Sequence, residues 1–162
     1  MKNNNPISEL LTKGLQGGFA GGTVLKGINR GSFAIESSHA EIFGGIYHDE
    51  WMASRAGGGQ ELVRIGNKIY TRVYAGGTIQ EEELKRLGIT EKEVTVFLKS
   101  QMIKNGDKIR LHSNFESEEG DWKYKYQILE KEEKIPMTTG KETIYFKGEL
   151  VFQHNFILSP VD

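Results

Sequence analysis

A chain of 162 residues with 37 % apolar and 10 % aromatic side chains suits one compact domain and excludes wholesale disorder. Its 21 basic and 22 acidic residues are mixed along the chain for a formal charge of -1, so no basic stripe marks a nucleic-acid or anionic-membrane surface. Without cysteine there is no disulfide frame, thiolate nucleophile or cysteine zinc site, and a reducing cytoplasm is the expected setting.

No apolar run approaches the ~20 residues that span a bilayer, and the opening MKNNNPISEL lacks the apolar core of a signal peptide. Asn5-Pro6 reads as a helix start, with Ile7, Leu10 and Leu11 on one face and an end near Gly14 to Gly18. Thr23 to Ser37 alternates weakly and predicts a hairpin. ELVRI and KIYTRVY then flank Gly66-Asn67, a two-residue hairpin turn. Thr78 with Glu81 and Thr90 with Glu93 have capping-box spacing. The first opens a short helix closed by Gly88. The second opens a longer one with a Val94, Phe97, Leu98 and Met102 stripe, stopped by Asn105-Gly106. KIRLHSNFES and DWKYKYQIL alternate at period two as strands. EKEEKIPMTTG is a polar connection, and KETIYF and ELVFQHNFIL flank Lys147-Gly148 as another hairpin.

The two hairpins align on each other. Glu61 falls opposite Glu142, Gly66 opposite Gly148, Tyr70 opposite Phe152, Arg72 opposite His154 and Tyr74 opposite Phe156, with Trp51 and Trp122 matched upstream. This predicts an α+β fold of antiparallel sheets with a few helices, one domain over 1–162. Half-repeats at 5–78 and 90–162 would be joined by a short helix and packed about a pseudo-twofold axis.

EGDWKYKYQI followed by GKETIYFKGELVFQHNF resembles the bacterial domain of unknown function DUF5680. The resemblance rests on Glu119, Gly120, Asp121, Trp122, Tyr124, Gly140, Glu142, Tyr145, Gly148, Val151, Phe152, Asn155 and Phe156. Leu150 stands where proline is common, and Ile157-Leu158 where glycine often follows the aromatic. The first half carries a degenerate echo of the pattern. The resemblance implies ancestry and fold, and no reaction.

Strand alternation puts Leu150, Phe152, His154 and Phe156 on one face and Val151, Gln153 and Asn155 on the other. Arg72 and His154 are thus matched polar groups, each between two rings. They either orient a ligand on an aromatic wall or bond Glu61 and Glu142 on the neighbouring strands. Glu61 and Glu142 are acid–base candidates if they converge. Trp51, Tyr74, Trp122 and Phe156 are candidates for apolar contact. Asn155 is expected to have a structural hydrogen-bonding role.

His39, His48, His112 and His154 lack metal-ligand spacing, though His48 and Glu50 in HDEW share a face, and no metal or cofactor is expected. TTGKET lacks the first glycine of a P-loop and runs into a strand, and GGFAGG is not a dinucleotide fingerprint. The expected function is small-molecule binding or sensing in an aromatic-lined cleft. The alternatives are a small enzyme with Glu and His acid–base groups and a protein-interaction module. The expected partner is a small molecule, with neither nucleic acid nor membrane, and the protein itself a monomer or homodimer.

Overall fold

The computed structural model describes residues 6–22, 26–52, 54–135 and 137–159. Helix α1 (Pro6–Leu15) leads into a π-helical turn (Gln16–Ala20). Five strands follow: β1 (Lys26–Arg30), β2 (Phe33–Ile42), β3 (Gly45–Trp51), β4 (Ala56–Ile65) and β5 (Lys68–Thr78). Helices α2 (Glu81–Leu87) and α3 (Glu91–Asn105) come next, then β6 (Phe115–Glu119), β7 (Trp122–Glu132), β8 (Met137–Phe146) and β9 (Glu149–Leu158). Among the described residues the strands form one antiparallel sheet in the order β1-β2-β3-β4-β5-β9-β8-β7-β6. Two sequential meanders are therefore joined edge to edge by β5 and β9. The architecture is α+β, dominated by the sheet, and no described helix is long and apolar enough to cross a membrane.

The helices cover one face. Ile7, Leu10, Leu11 and Leu15 of α1 bury against it, and Gly14 lets the helix settle on the Tyr47 ring, where a Cβ would lie 2.2 Å from a ring atom. The Thr12 hydroxyl donates to the Gly106 carbonyl at 3.0 Å and Gln16 Nε2 to the Ile103 carbonyl at 3.0 Å, tying α1 to the end of α3. Val94, Phe97, Leu98 and Met102 of α3 face the sheet, Phe97 stacking on Trp122 at 5.0 Å between centroids. Asn5 lies outside the described residues, so the predicted cap cannot be placed on α1.

Both expected hairpin turns are present, with left-handed φ at Gly66 (57°), Lys147 (50°) and Gly148 (84°). The Thr90–Glu93 capping box forms, Glu93 accepting from the Thr90 amide at 2.8 Å. The other box shifts. Thr78 remains in β5 because it pairs with Phe152, and Gln80 caps α2, with Glu83 reaching back to its amide. The alternation in KIRLHSNFES is misleading: Asp107 to Ser113 form turns and bends, and the strand starts at Phe115. The polar EKEEKIPMTTG is largely strand, since β7 runs to Glu132 and β8 starts at Met137. On β9 a bulge between the Ile144–Phe152 and Tyr145–Leu150 pairs reverses two expected orientations. Val151 is fully buried, and Leu150 is 38 % exposed.

Candidate functional site

The helix-covered face of the sheet carries three cross-strand rows. The first runs Glu36, Trp51, Gly59, Tyr74, Phe156, Gly140, Ile128 across β2, β3, β4, β5, β9, β8 and β7. One row over, Asp49, Glu61 and Arg72 are neighbours. On the other side of the first row, Gly76, His154, Glu142 and Tyr126 are neighbours. Gly59 and Gly140 occupy matched places, and each makes room for a tyrosine: a Cβ there would lie 2.5 Å from the hydroxyl of Tyr74 or Tyr126.

Glu61 and Glu142 are each the centre of a buried Tyr–Glu–Arg group. Arg72 grips Glu61 through Nε and through Nη2, the latter at 2.6 Å, and the Tyr47 hydroxyl donates to Glu61 at 2.8 Å. Arg110 grips Glu142 through Nε at 2.9 Å and Nη2 at 2.6 Å, with the Tyr124 hydroxyl donating at 2.5 Å. The groups are linked, because Arg72 Nη1 donates to the Arg110 carbonyl. Burial works to raise both glutamates, but each arginine's charge and hydrogen bonds outweigh it and hold the carboxylates below their ordinary range. Arg110 adopts a left-handed backbone, φ 56°, uncommon for a residue with a side chain. That turn aims its guanidinium back at the sheet, over the Phe156 ring at 5.0 Å.

Beneath α3 lies a cavity of about 310 Å³. The sheet supplies Glu36, Asp49, Trp51, Tyr74, Thr78, Phe152 and His154 to its wall. The π-helical turn adds Phe19, the segment after β3 adds Met52, Ser54 and Arg55, and α3 adds Glu91, Thr95 and Leu98. Arg110 closes one side, and Gly57, Gly58 and Gly77 contribute backbone. Trp51 is held edge-on to Phe19 at 5.5 Å, and its indole N–H donates to Glu36 at 3.0 Å.

Asp49 accepts from the Tyr74 hydroxyl at 3.2 Å, and its carboxyl is pushed well above the ordinary range by burial and by the charge of Glu61. His154 packs against Phe152 at 4.5 Å and Tyr74 at 5.3 Å, with Nδ1 3.8 Å from Glu142. Burial lowers its pKa to about 4 against the pull of Glu142, so the ring is neutral at pH 7. His154 Nδ1 and Thr78 Oγ1 are buried without a hydrogen-bond partner.

The sequence-derived candidates thus separate. Trp51, Tyr74 and His154 come together on the cavity wall. Arg72, at 1 % exposure, does not line the cavity and bonds Glu61 and the Arg110 carbonyl instead. Glu61 and Glu142 are sealed in ion pairs rather than converging on open space, and Phe156 is buried core beneath Arg110. Trp122 packs between Phe97 and Phe146, on a shallower depression away from the cavity. His48 turns to the opposite face and meets Glu50 at 3.1 Å. Asn155 is exposed and accepts from Gln153 Nε2 at 3.3 Å. Among the described residues no three His, Asp or Glu side chains gather as a metal-binding group.

Sequence reasoning missed Asp49, Thr78 and Arg110. Asp49 had a usable signal, as it lies two residues before Trp51 on the inward face of β3. Thr78 was masked by its capping-box spacing. Nothing in KIRLHS marks Arg110 as a turn.

A family described as Domain of unknown function (DUF5680) matches residues 49–158, one span that contains both hairpins. No curated protein and no solved structure matches the chain significantly.

Proposed function

The chain belongs to the DUF5680 family, whose ancestry brings no activity with it, and from the site itself we propose that it is a small-molecule-binding, sensor-like domain. One observation carries this reading: the cavity wall combines the rings of Trp51, Tyr74 and Phe152 with two residues, Thr78 and His154, whose Oγ1 and Nδ1 are buried and find no partner among the described residues. Buried polar groups are normally satisfied, and cavities of about this volume are the size of ligand sites. Trp51, Tyr74 and Phe152 would cover the ligand's apolar surface, while Asp49, Arg110 and His154 meet its polar edge.

A thermal screen against a small-molecule library tests the reading. Hits should raise the melting temperature with concentration as RT ln(1 + [L]/Kd) predicts. Thr95→Trp, which fills the cavity from α3, should remove the response. Equal shifts in both proteins would sink the assignment to this cavity.

A second reading, acid–base turnover of the bound molecule, is favoured by Asp49, with its raised pKa, and a neutral His154 lining the same cavity on either side of Tyr74. It predicts product formation by the wild type that Asp49→Asn abolishes while the variant keeps its fold.

We also infer an internal duplication of 5–78 and 90–162. Its support is the shared register, with Glu61–Arg72 and Glu142–His154, Val63–Tyr70 and Ile144–Phe152, and Gly59–Tyr74 and Gly140–Phe156 as corresponding cross-strand pairs. At the β5–β9 junction the corresponding residues Tyr74 and Phe156 face each other.

A further inference from the structure

The buried charges on the inward face do not balance. Among the described residues, three carboxyl groups, Asp49, Glu61 and Glu142, lie buried there with two guanidinium groups, Arg72 and Arg110. Each arginine makes a two-point grip on one glutamate. His154 adds no charge at pH 7, because burial holds its pKa near 4. Asp49 is therefore the carboxyl left over. Its hydrogen-bonding partner among the described residues is the Tyr74 hydroxyl, a neutral donor.

The cavity wall extends this imbalance. Glu36 and Glu91 add two more acids against one added cation, Arg55, whose Nη1 donates to the Thr78 carbonyl at 2.7 Å. The wall also carries the rings of Phe19, Trp51, Tyr74 and Phe152, and ring faces attract cations. An anion entering would face these acids with the Arg110 charge already matched by Glu142.

We propose that the cavity selects an organic cation, an amidinium or protonated amine on a compact apolar body. The charged head pairs with Asp49, and the body lies among the rings of Trp51, Tyr74 and Phe152. This deepens the binding reading and rests on it. A cation beside Asp49 supplies the counter-charge that a buried carboxylate requires. Burial and the charge of Glu61 raise the pKa of Asp49, and a cation at its side would offset both.

Benzamidine, benzamide and benzoate test the charge preference, since they share a phenyl ring and differ in the charge of the head group. Each is titrated near neutral pH into the wild type by ligand-observed NMR. Each is also titrated into Trp122→Phe, which leaves Trp51 as the reporting indole of the two in the chain. Benzamidine should bind at least about tenfold tighter than benzamide, with benzoate weakest. Asp49→Asn should erase most of that advantage. Should this variant fail to fold, Glu36→Gln is expected to reduce the advantage in the same direction, and the wild-type ranking needs no variant.

A missing saturable response to benzamidine overturns the proposal, as does benzoate or benzamide binding equally well. In the latter case the cavity remains a binding site for another ligand class. Silence from all three ligands together with a negative thermal screen removes the binding reading as well.

Discussion

The two buried Tyr–Glu–Arg groups use the same parts for different ends. Around Glu61 the arginine comes from the adjacent strand β5, so the pair closes within the sheet and Arg72 is sealed. Around Glu142 the adjacent strand offers His154 at the corresponding place, and the arginine arrives from the bend after α3. The strand position freed in this way, His154, reaches the cavity wall, and so does Arg110. Borrowing a cation from outside the sheet turns a structural ion pair into part of the cavity wall.

Removing one arginine at a time should break this comparison most forcefully. Arg72→Met leaves Glu61 buried without its partner and should lower unfolding stability by about 3–5 kcal/mol. Urea denaturation should show that loss, while the remaining folded protein retains its ligand affinity. Arg110→Met should lose a similar amount and weaken ligand binding too. If ligand affinity falls equally in both variants, the division between a pair away from the cavity and one at its wall is wrong.

Acid should act next, and through the open side. His154 titrates near 4 in the fold against 6.5 unfolded, so the unfolded chain binds more protons between those values. Stability is then undiminished by this group above pH 6.5 and falls as pH drops toward 4, by about 3 kcal/mol in full. The groups facing the ring include Glu142, which favours its protonation, and Arg110, which opposes it. His154→Phe should flatten this segment of the stability profile. Arg72, in the matched place, stays charged throughout and adds nothing of its own to this segment.

The smallest contrast lies between tyrosine hydroxyls. Tyr47 donates to Glu61, whereas the Tyr70 hydroxyl is buried without a partner. Tyr47→Phe should therefore cost about 1–2 kcal/mol, and Tyr70→Phe should be neutral or stabilising. Equal losses in the two variants would count against the unpartnered state of Tyr70.

The legible part of this molecule was the hairpins. Their turns carry glycine where left-handed backbone is needed, and their alternation assigned Tyr70, Arg72, Tyr74, Phe152, His154 and Phe156 to one face. Period two fails where the chain inserts a residue, as at Val151, or where alternating side chains occur without strand pairing, as in KIRLHS. The site was less legible because it depends on juxtaposition. Sequence alignment matched Arg72 with His154, but it could not reveal that Arg110 would fill the vacancy at Glu142. Thr78 has the spacing of a helix cap and is instead the last paired residue of a strand, held there by Phe152.

The junction of β5 with β9 has a bearing on how the molecule assembles. The other strand pairings join neighbours along the chain, whereas this one brings together segments separated by two helices and three strands. Closing so large a loop carries the greatest entropic burden in the sheet, and non-local pairings of this kind slow folding. Tyr74, Gly77 and Thr78 from one side of the junction and Phe152 and His154 from the other border the cavity. The chamber is therefore incomplete until the two meanders dock, and a ligand that fills it would act as a latch on the slowest step.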